Sequence, residues 1–320
     1  MIINDILNKI MESNNINITF HTSPDGDSLG SALALYQGIK NLGKKVDILS
    51  KEDMPKTFKF LPFSNKIDGK NYKVKEDVDC VIVLDCGNVE RINAELDLEN
   101  RNYFLMNIDH HMSNEFYGDL NYVNTDAAAV SESVYEILKT LKVTIDKDIA
   151  KCLYTSIITD TGSFRYPSTT ENTHKVAGNL INTGVDFSSI HREIYENKDF
   201  TRLKLYGKVF EEMKLVDEKI CVMKITYSML KEIGLEEAKD TSDVISMGMQ
   251  VGSVEASVLL KEAEEGIKIS LRSKKFVDVR KVAEKFSGGG HVRASGAYVK
   301  GKTLHEVEKM IIESIKEELI

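Results

Sequence analysis

The residues best suited to chemistry are short acidic and histidine signatures in the first half of the chain. They read His21-Thr-Ser-Pro-Asp25-Gly-Asp27, Asp85, Asp109-His110-His111 and Asp160, and Gly288-Gly-Gly-His291 lies far downstream. Carboxylates and imidazoles are oxygen and nitrogen donors for hard-to-borderline divalent cations. Six such groups suffice for two cations in one site. A two-cation centre stabilises both the attacking and the leaving oxygen of an in-line displacement, so phosphoester chemistry is the expectation.

Two cations ~3.5–4 Å apart need a carboxylate between them. Asp85 is the best candidate for that bridge. His21 and Asp25 would complete the protein shell of one cation. Asp27, His110 and Asp160 would complete the other. Four carboxylates and two imidazoles suit Mn²⁺ best, with Mg²⁺, Fe²⁺ or Co²⁺ as competitors. No cysteine takes part, which disfavours structural zinc. Taken singly, each residue has an ordinary reading: Asp25-Gly26-Asp27 as a capped turn, Asp160 as a helix end. Their joint order, each at the end of an element, favours ligands. His174, His191 and His305 lie in helical, charged contexts and read as surface residues.

Such residues need a scaffold that gathers them. Strand signals at 16–20, 46–49, 80–84 and 103–108 alternate with helices, the first at 28–42. Further helices are expected at 127–141, 147–160, 172–182 and 187–196. The pattern predicts an α/β fold with a doubly wound parallel sheet, whose strand carboxyl ends collect ligands. His21, Asp25, Asp27, Asp85 and Asp109-His110-His111 follow strands in that scheme, and Asp160 closes a helix. The reading divides the chain into a metal-binding domain over 1–190, a helical linker over 191–216 and a smaller α/β domain over 217–320. In the last, strands are expected at 219–225, 255–261 and 266–271.

The second domain reads as a substrate clamp. Gly288, Gly289 and Gly290 allow close backbone approach, and their amides could cradle phosphate. His291 and Arg293 add donors. Arg272, after Ser270 on a strand, could grip a phosphate bidentately. Residues 268–293 hold eight Lys/Arg against two acidic residues. Within that excess, Arg272 and His291 favour function, and the lysines of the helix at 278–285 favour a solvated face.

Composition narrows the classes. The 320 residues carry a net charge of −8, which argues against long duplex nucleic acid as a partner. No apolar run reaches membrane-spanning length, and the first ten residues lack a signal-peptide plan. Cys80, Cys86, Cys152 and Cys221 show neither metal spacing nor a disulfide framework, as expected for thiols in a reducing cytoplasm. A homodimer is compatible with this chain, although no surface is marked for it.

The motifs and their surroundings resemble the DHH phosphoesterase family, named for the triplet that stands here as Asp109-His110-His111. The likeness extends to Thr-Ser-Pro-Asp25-Gly-Asp27-Ser-Leu-Gly-Ser31, Val-Ile-Val-Leu-Asp85-Cys-Gly, Ile-Ile-Thr-Asp160-Thr-Gly-Ser-Phe-Arg165-Tyr and Phe-Ser-Gly-Gly-Gly-His291-Val-Arg-Ala-Ser-Gly296. The last resembles the DHH-associated C-terminal domain, with Ser295 where that motif often has Ala. Within the family the chain is most similar to the nanoRNase/pAp-phosphatase type. The resemblance implies Mn²⁺-dependent hydrolysis of short oligoribonucleotides, dinucleotides included, to mononucleotides. It also implies removal of the 3′-phosphate from 3′-phosphoadenosine 5′-phosphate (pAp). It implies His21, Asp25, Asp27, Asp85, His110 and Asp160 as metal ligands. Asp109 would orient a ligand histidine, and His111 would contact the reacting phosphate or the leaving oxygen. Cyclic-di-AMP or its linear product pApA is an alternative substrate, pyrophosphate a weaker one, and a non-enzymatic nucleotide- or RNA-binding regulator the competing class. A cleft shared by the two domains would measure substrate length.

Overall fold

The apolar run Cys80–Leu84 forms strand β3, buried at every residue. A strand apolar at every position must be covered on both faces, as in a parallel sheet. Asn15–Thr19 (β1) is likewise buried throughout. With Lys45–Ile48 (β2), Phe104–Asp109 (β4) and Leu120–Val123 (β5) they form a parallel sheet ordered β2-β1-β3-β4-β5. The strand order reverses between β1 and β3, and α/β sheets open a crevice at such a switch point. His21 and Asp85 leave these two strands. The computed structural model describes residues 2–238 and 241–319. Their contacts divide the chain into two units, Met1–Asn197 and Lys198–Ile320.

The helices of the first unit are α1 (Ile2–Glu12), α2 (Gly26–Asn41), α3 (Val130–Thr140), α4 (Lys147–Asp160), α5 (Glu171–Asn182) and α6 (Phe187–Tyr195). Helix α2 is buried from Gly26 to Ile39. Its glycines let α4 and α3 come close: a Cβ on Gly30 would sit 2.4 Å from the Cys152 carbonyl oxygen, and one on Gly38 2.2 Å from a Leu138 methyl. That packing sets the first turn of α2, with Asp27, against the last turns of α4.

The second unit begins with α7 (Phe200–Glu211) and continues through β6 (Lys214–Val216), β7 (Ile220–Ile225), α8 (Tyr227–Glu232) and α9 (Ser242–Gly248). Next come β8 (Ala256–Ala263), β9 (Gly266–Ser273), α10 (Val279–Glu284), β10 (Gly289–His291), β11 (Ala294–Lys300) and α11 (Leu304–Glu318). The strands form a mixed sheet ordered β10-β11-β9-β8-β7-β6. Strand β9 alternates, and its Ile267, Ile269 and Leu271 join Val279 and Val282 of α10 and Ile311 of α11 in one core. Leu205 and Val209 of α7 pack with Val244 and Ile245 of α9 in another. Helix α7, expected as part of a connector, therefore builds the core of the second unit.

One local expectation is corrected, and strands β5 and β10 had gone unrecognised. Helix α3 starts at Val130, not Ala127, because residues 124–129 form the turn that carries backbone partners of the site. Strand β5 had too short an apolar run to be recognised. The glycine run, expected only to allow close backbone approach, forms an edge strand with Gly290 paired to Ser295. Among the described residues no helix is long and apolar enough to cross a membrane. All four cysteines are buried free thiols.

Candidate metal centre and phosphate platform

His21 leaves β1 with Nδ1 2.9 Å from the Thr22 carbonyl oxygen. A nitrogen facing a carbonyl carries the hydrogen, so the lone pair lies on Nε2. That atom faces Asp25 Oδ1 at 3.7 Å and Asp85 Oδ2 at 3.5 Å. His110 repeats the device. Its Nδ1 is 3.1 Å from the Ala127 carbonyl oxygen. Its Nε2 faces Asp85 Oδ1 at 3.5 Å, Asp160 Oδ2 at 3.7 Å and Asp27 Oδ2 at 3.8 Å. The two oxygens of Asp85 thus address different histidines.

The carboxylates are positioned by their elements. Asp25 caps α2, its Oδ1 accepting from the Asp27 and Ser28 amides at 3.1 Å. The ordinary reading of Asp25 and its place in the site therefore coexist. Asp27 is fully buried; its Oδ1 accepts from Ser31 at 3.0 Å and Ser156 at 2.5 Å, and its Oδ2 from the Val130 amide at 2.8 Å. Asp85 holds a left-handed backbone, φ +52°, directly after β3. Aspartate tolerates that region better than most residues, and strained backbone concentrates at functional sites.

His21, Asp25 and Asp85 form one group able to hold a cation, and Asp27, His110 and Asp160 another. The donor set fits divalent metal. Asp85 Oδ1 is buried with no hydrogen-bond donor among the described residues, a costly state for a carboxylate oxygen that a cation relieves. Without metal, the groups distort one another's protonation. Burial alone would lower the pKa of His21, but Asp25 and Asp85 outweigh it and carry it up to about 10. The same contest, with Asp85 and Asp27 dominant, carries His110 to about 10. Burial and the neighbouring aspartates push Asp27 well up; burial also lifts Asp160, to about 6.

His111 adjoins this set: its Nδ1 is 3.6 Å from Asp85 Oδ1, and Asp85, His110 and His111 form a third group able to hold a cation. The same His111 Nδ1 lies 2.7 Å from Asp109 Oδ1, and Asn114 Nδ2 donates to Asp109 Oδ2 at 2.6 Å. Asp109 therefore orients His111 rather than one of the histidines expected as ligands; His110 faces the Ala127 carbonyl instead. His111 is partly exposed, and Asp109 raises its pKa.

In the second unit, strand register places Arg272 opposite Ala294, and Ala294 opposite His291. Ser270 stands opposite Gly296, and Gly296 opposite Gly289. These residues share one sheet face, a floor of small residues flanked by Arg272 and His291. Arg272 is half-buried and, among the described residues, has no carboxylate partner; Nη1 bonds the Leu271 carbonyl at 2.9 Å, and burial lowers its pKa. Gly289 faces open space, whereas a Cβ on Gly288 would sit 2.2 Å from the Gly296 carbonyl oxygen. Gly290 has φ +139°, a backbone that needs glycine. Arg293 departs from its expected substrate role. Its guanidinium donates to the carbonyls of Val277, at 2.7 Å, and Lys275, bracing the turn after β9. Ser295 is buried and donates to the Val279 carbonyl.

Residues 15–157 match the model of the DHH family N-terminal domain, and residues 223–317 that of the DHHA1 domain. The chain is 32% identical to the bifunctional oligoribonuclease and PAP phosphatase NrnA of Thermus thermophilus, over 95% of this chain and 90% of that protein. It belongs to the DHH family. A probable enzyme of the same name from Streptococcus mutans is 31% identical, over 91% of this chain and 92% of its own length. The crystal structure of an exopolyphosphatase-related protein from Bacteroides fragilis superposes with a TM-score of 0.88 at 27% identity, covering 98% of this chain and 95% of that one.

The sequence reading of the DHH unit missed Asn114, Ser31 and Ser156, which touch Asp109 or Asp27. Asparagine and serine carry no sequence signal as supports. Only their placement beside a buried carboxylate reveals them. His191, read as a surface residue, is half-buried with Nε2 3.5 Å from the Tyr154 hydroxyl. His174 stacks on Phe164 but stays exposed, as does His305.

Proposed function

We propose that this phosphoester hydrolase of the DHH family uses two divalent cations, Mn²⁺ foremost, to cleave short oligoribonucleotides and to remove the 3′-phosphate of pAp. The observation that carries the reading is Asp85, whose Oδ2 lies 3.5 Å from His21 Nε2 and whose Oδ1 lies 3.5 Å from His110 Nε2. A single carboxylate facing two histidine-aspartate groups suits a bridge between cations. The substrate class is supported by the oligoribonuclease and PAP phosphatase activities for which the relatives are named.

Bound cations would supply a hydroxide nucleophile at neutral pH and charge stabilisation at the phosphoryl oxygens. His21, Asp25 and Asp85 would hold one, and Asp27, His110 and Asp160 share Asp85 to hold the other. His111, kept by Asp109 with its Nε2 free, gives a proton to the leaving oxygen. Arg272 and His291 take a terminal phosphate, and the floor of Gly289, Ala294 and Gly296 admits the nucleoside.

The test is hydrolysis by the purified, Mn²⁺-loaded protein of 5′-phosphorylated dinucleotides, longer RNA, pAp, cyclic-di-AMP and pyrophosphate. Turnover of dinucleotides and pAp ahead of the rest is expected. Preference for cyclic-di-AMP or pyrophosphate would replace the substrate assignment, and no turnover of any would overturn the enzymatic reading.

A further inference from the structure

Among the described residues, Asp25, Asp27, Asp85, Asp109 and Asp160 pair only with histidines. One guanidinium nevertheless lies against a histidine of the centre, on the ring edge away from the carboxylates: Arg91 Nη2 is 3.3 Å from His21 Nδ1, while Asp25 and Asp85 face Nε2. His21 Nδ1 already faces the Thr22 carbonyl oxygen at 2.9 Å and so carries its hydrogen. A ring N–H cannot accept, so Arg91 lies against His21 without bonding to it.

What holds Arg91 there is its backbone. The Thr22 amide donates to the Arg91 carbonyl at 2.6 Å. The short turn Val89–Arg91 is pinned by Glu115, which accepts from Asn88 Nδ2 at 2.6 Å and from the Val89 amide at 3.1 Å. The side chain itself is exposed and makes no ion pair among the described residues. A fixed backbone presenting an unspent guanidinium at the rim of an anion-handling site is a preorganised contact.

The charge of the centre calls for one. Asp25, Asp27, Asp85 and Asp160 only balance two divalent cations, and Asp109 is matched by a protonated His111, so an arriving phosphate brings negative charge that these groups leave uncompensated. A phosphate drawn there needs cations beyond the metals.

We propose that Arg91 is a catalytic residue that binds a nonbridging oxygen of the phosphate under attack; this rests on the proposed phosphoester hydrolysis. A water oxygen bonds to phosphorus, the ester P–O bond breaks, and the leaving oxygen ends protonated. Arg91 stays cationic throughout and exchanges no proton.

Inorganic phosphate, the product of pAp cleavage, probes the contact. Calorimetric titration of phosphate into Mn²⁺-saturated protein is compared for wild type, Arg91→Gln and Arg91→Lys, with a separate Mn²⁺ titration of each. Arg91→Gln should weaken phosphate binding about 10- to 100-fold, the worth of a charged hydrogen bond. Mn²⁺ affinity should stay unchanged, and Arg91→Lys should retain part of the phosphate affinity. Equal phosphate affinity in wild type and Arg91→Gln overturns the proposal. So does a matching loss of Mn²⁺ binding, which makes Arg91 a prop for His21. If wild type hydrolyses neither short RNA nor pAp, the substrate reading fails instead, and the phosphate titration still decides the Arg91 contact.

Discussion

Asp109 Oδ1 lies 2.7 Å from Nδ1 of His111, while the adjacent His110 turns its own Nδ1 to the Ala127 carbonyl 3.1 Å away. Consecutive histidines are thereby given different orienting partners. A neutral carbonyl leaves His110 a lone pair for a cation. A carboxylate makes His111 a better proton carrier.

Asn114 completes that arrangement, since its amide donates to both Asp109 and Asn107. Asn114→Ala should lower kcat for dinucleotide hydrolysis about 10- to 100-fold. KM and Mn²⁺ affinity should hold. Steady-state kinetics beside a Mn²⁺ titration checks this, and a parallel fall in Mn²⁺ affinity would assign Asn114 to the cation site.

Gly30→Ala places a methyl against the Cys152 carbonyl and must part α2 from α4. A loss of about 1–3 kcal/mol is expected from overpacking. Because α2 begins at the cap Asp25 and α4 ends at Asp160, Mn²⁺ affinity should fall with the Tm. A lower Tm with unchanged Mn²⁺ binding would show the centre to be independent of this packing.

The metal-free protein should lose stability as pH rises. His21 and His110 have folded pKa values near 10, above the ordinary 6.5. The folded state therefore binds more protons between these values, and stability present below pH 6.5 is lost on the way to 10. Chelator-treated protein should show a falling Tm from pH 6.5 to 9. Saturating Mn²⁺ should flatten the trend by replacing the protons. A rising Tm without metal would contradict the assigned charge states.

The two arginines of the platform should separate. Arg272→Ala removes a cation that has no carboxylate partner among the described residues and should raise KM roughly 10-fold with kcat nearly intact. Arg293→Ala frees the turn at 275–277 and should lower the Tm with little change in KM. The reverse pattern would return Arg293 to a substrate-binding role.

The parallel sheet was legible because Cys80–Leu84 and Asn15–Thr19 are buried on both faces and therefore apolar or small at most positions. The edge elements were not. Leu120–Val123 is half-exposed, and Gly289–His291 has no side-chain pattern to announce a strand. At the candidate site, chemically costly types were conspicuous at strand ends. Hydrogen-bond partnership was not, since nothing in Asp109-His110-His111 says which histidine the aspartate bonds. Arg293 was misjudged for the same reason: a guanidinium looks alike in sequence whether it meets phosphate or a turn of its own chain.

The most direct measurement is the number of Mn²⁺ ions bound per chain at saturation, for wild type and for Asp85→Ala. If Asp85 joins two cation sites, wild type binds two ions and the variant no more than one, with dinucleotide and pAp hydrolysis lost. A single ion in wild type, or two ions and substantial turnover in Asp85→Ala, would contradict a centre built on that shared carboxylate.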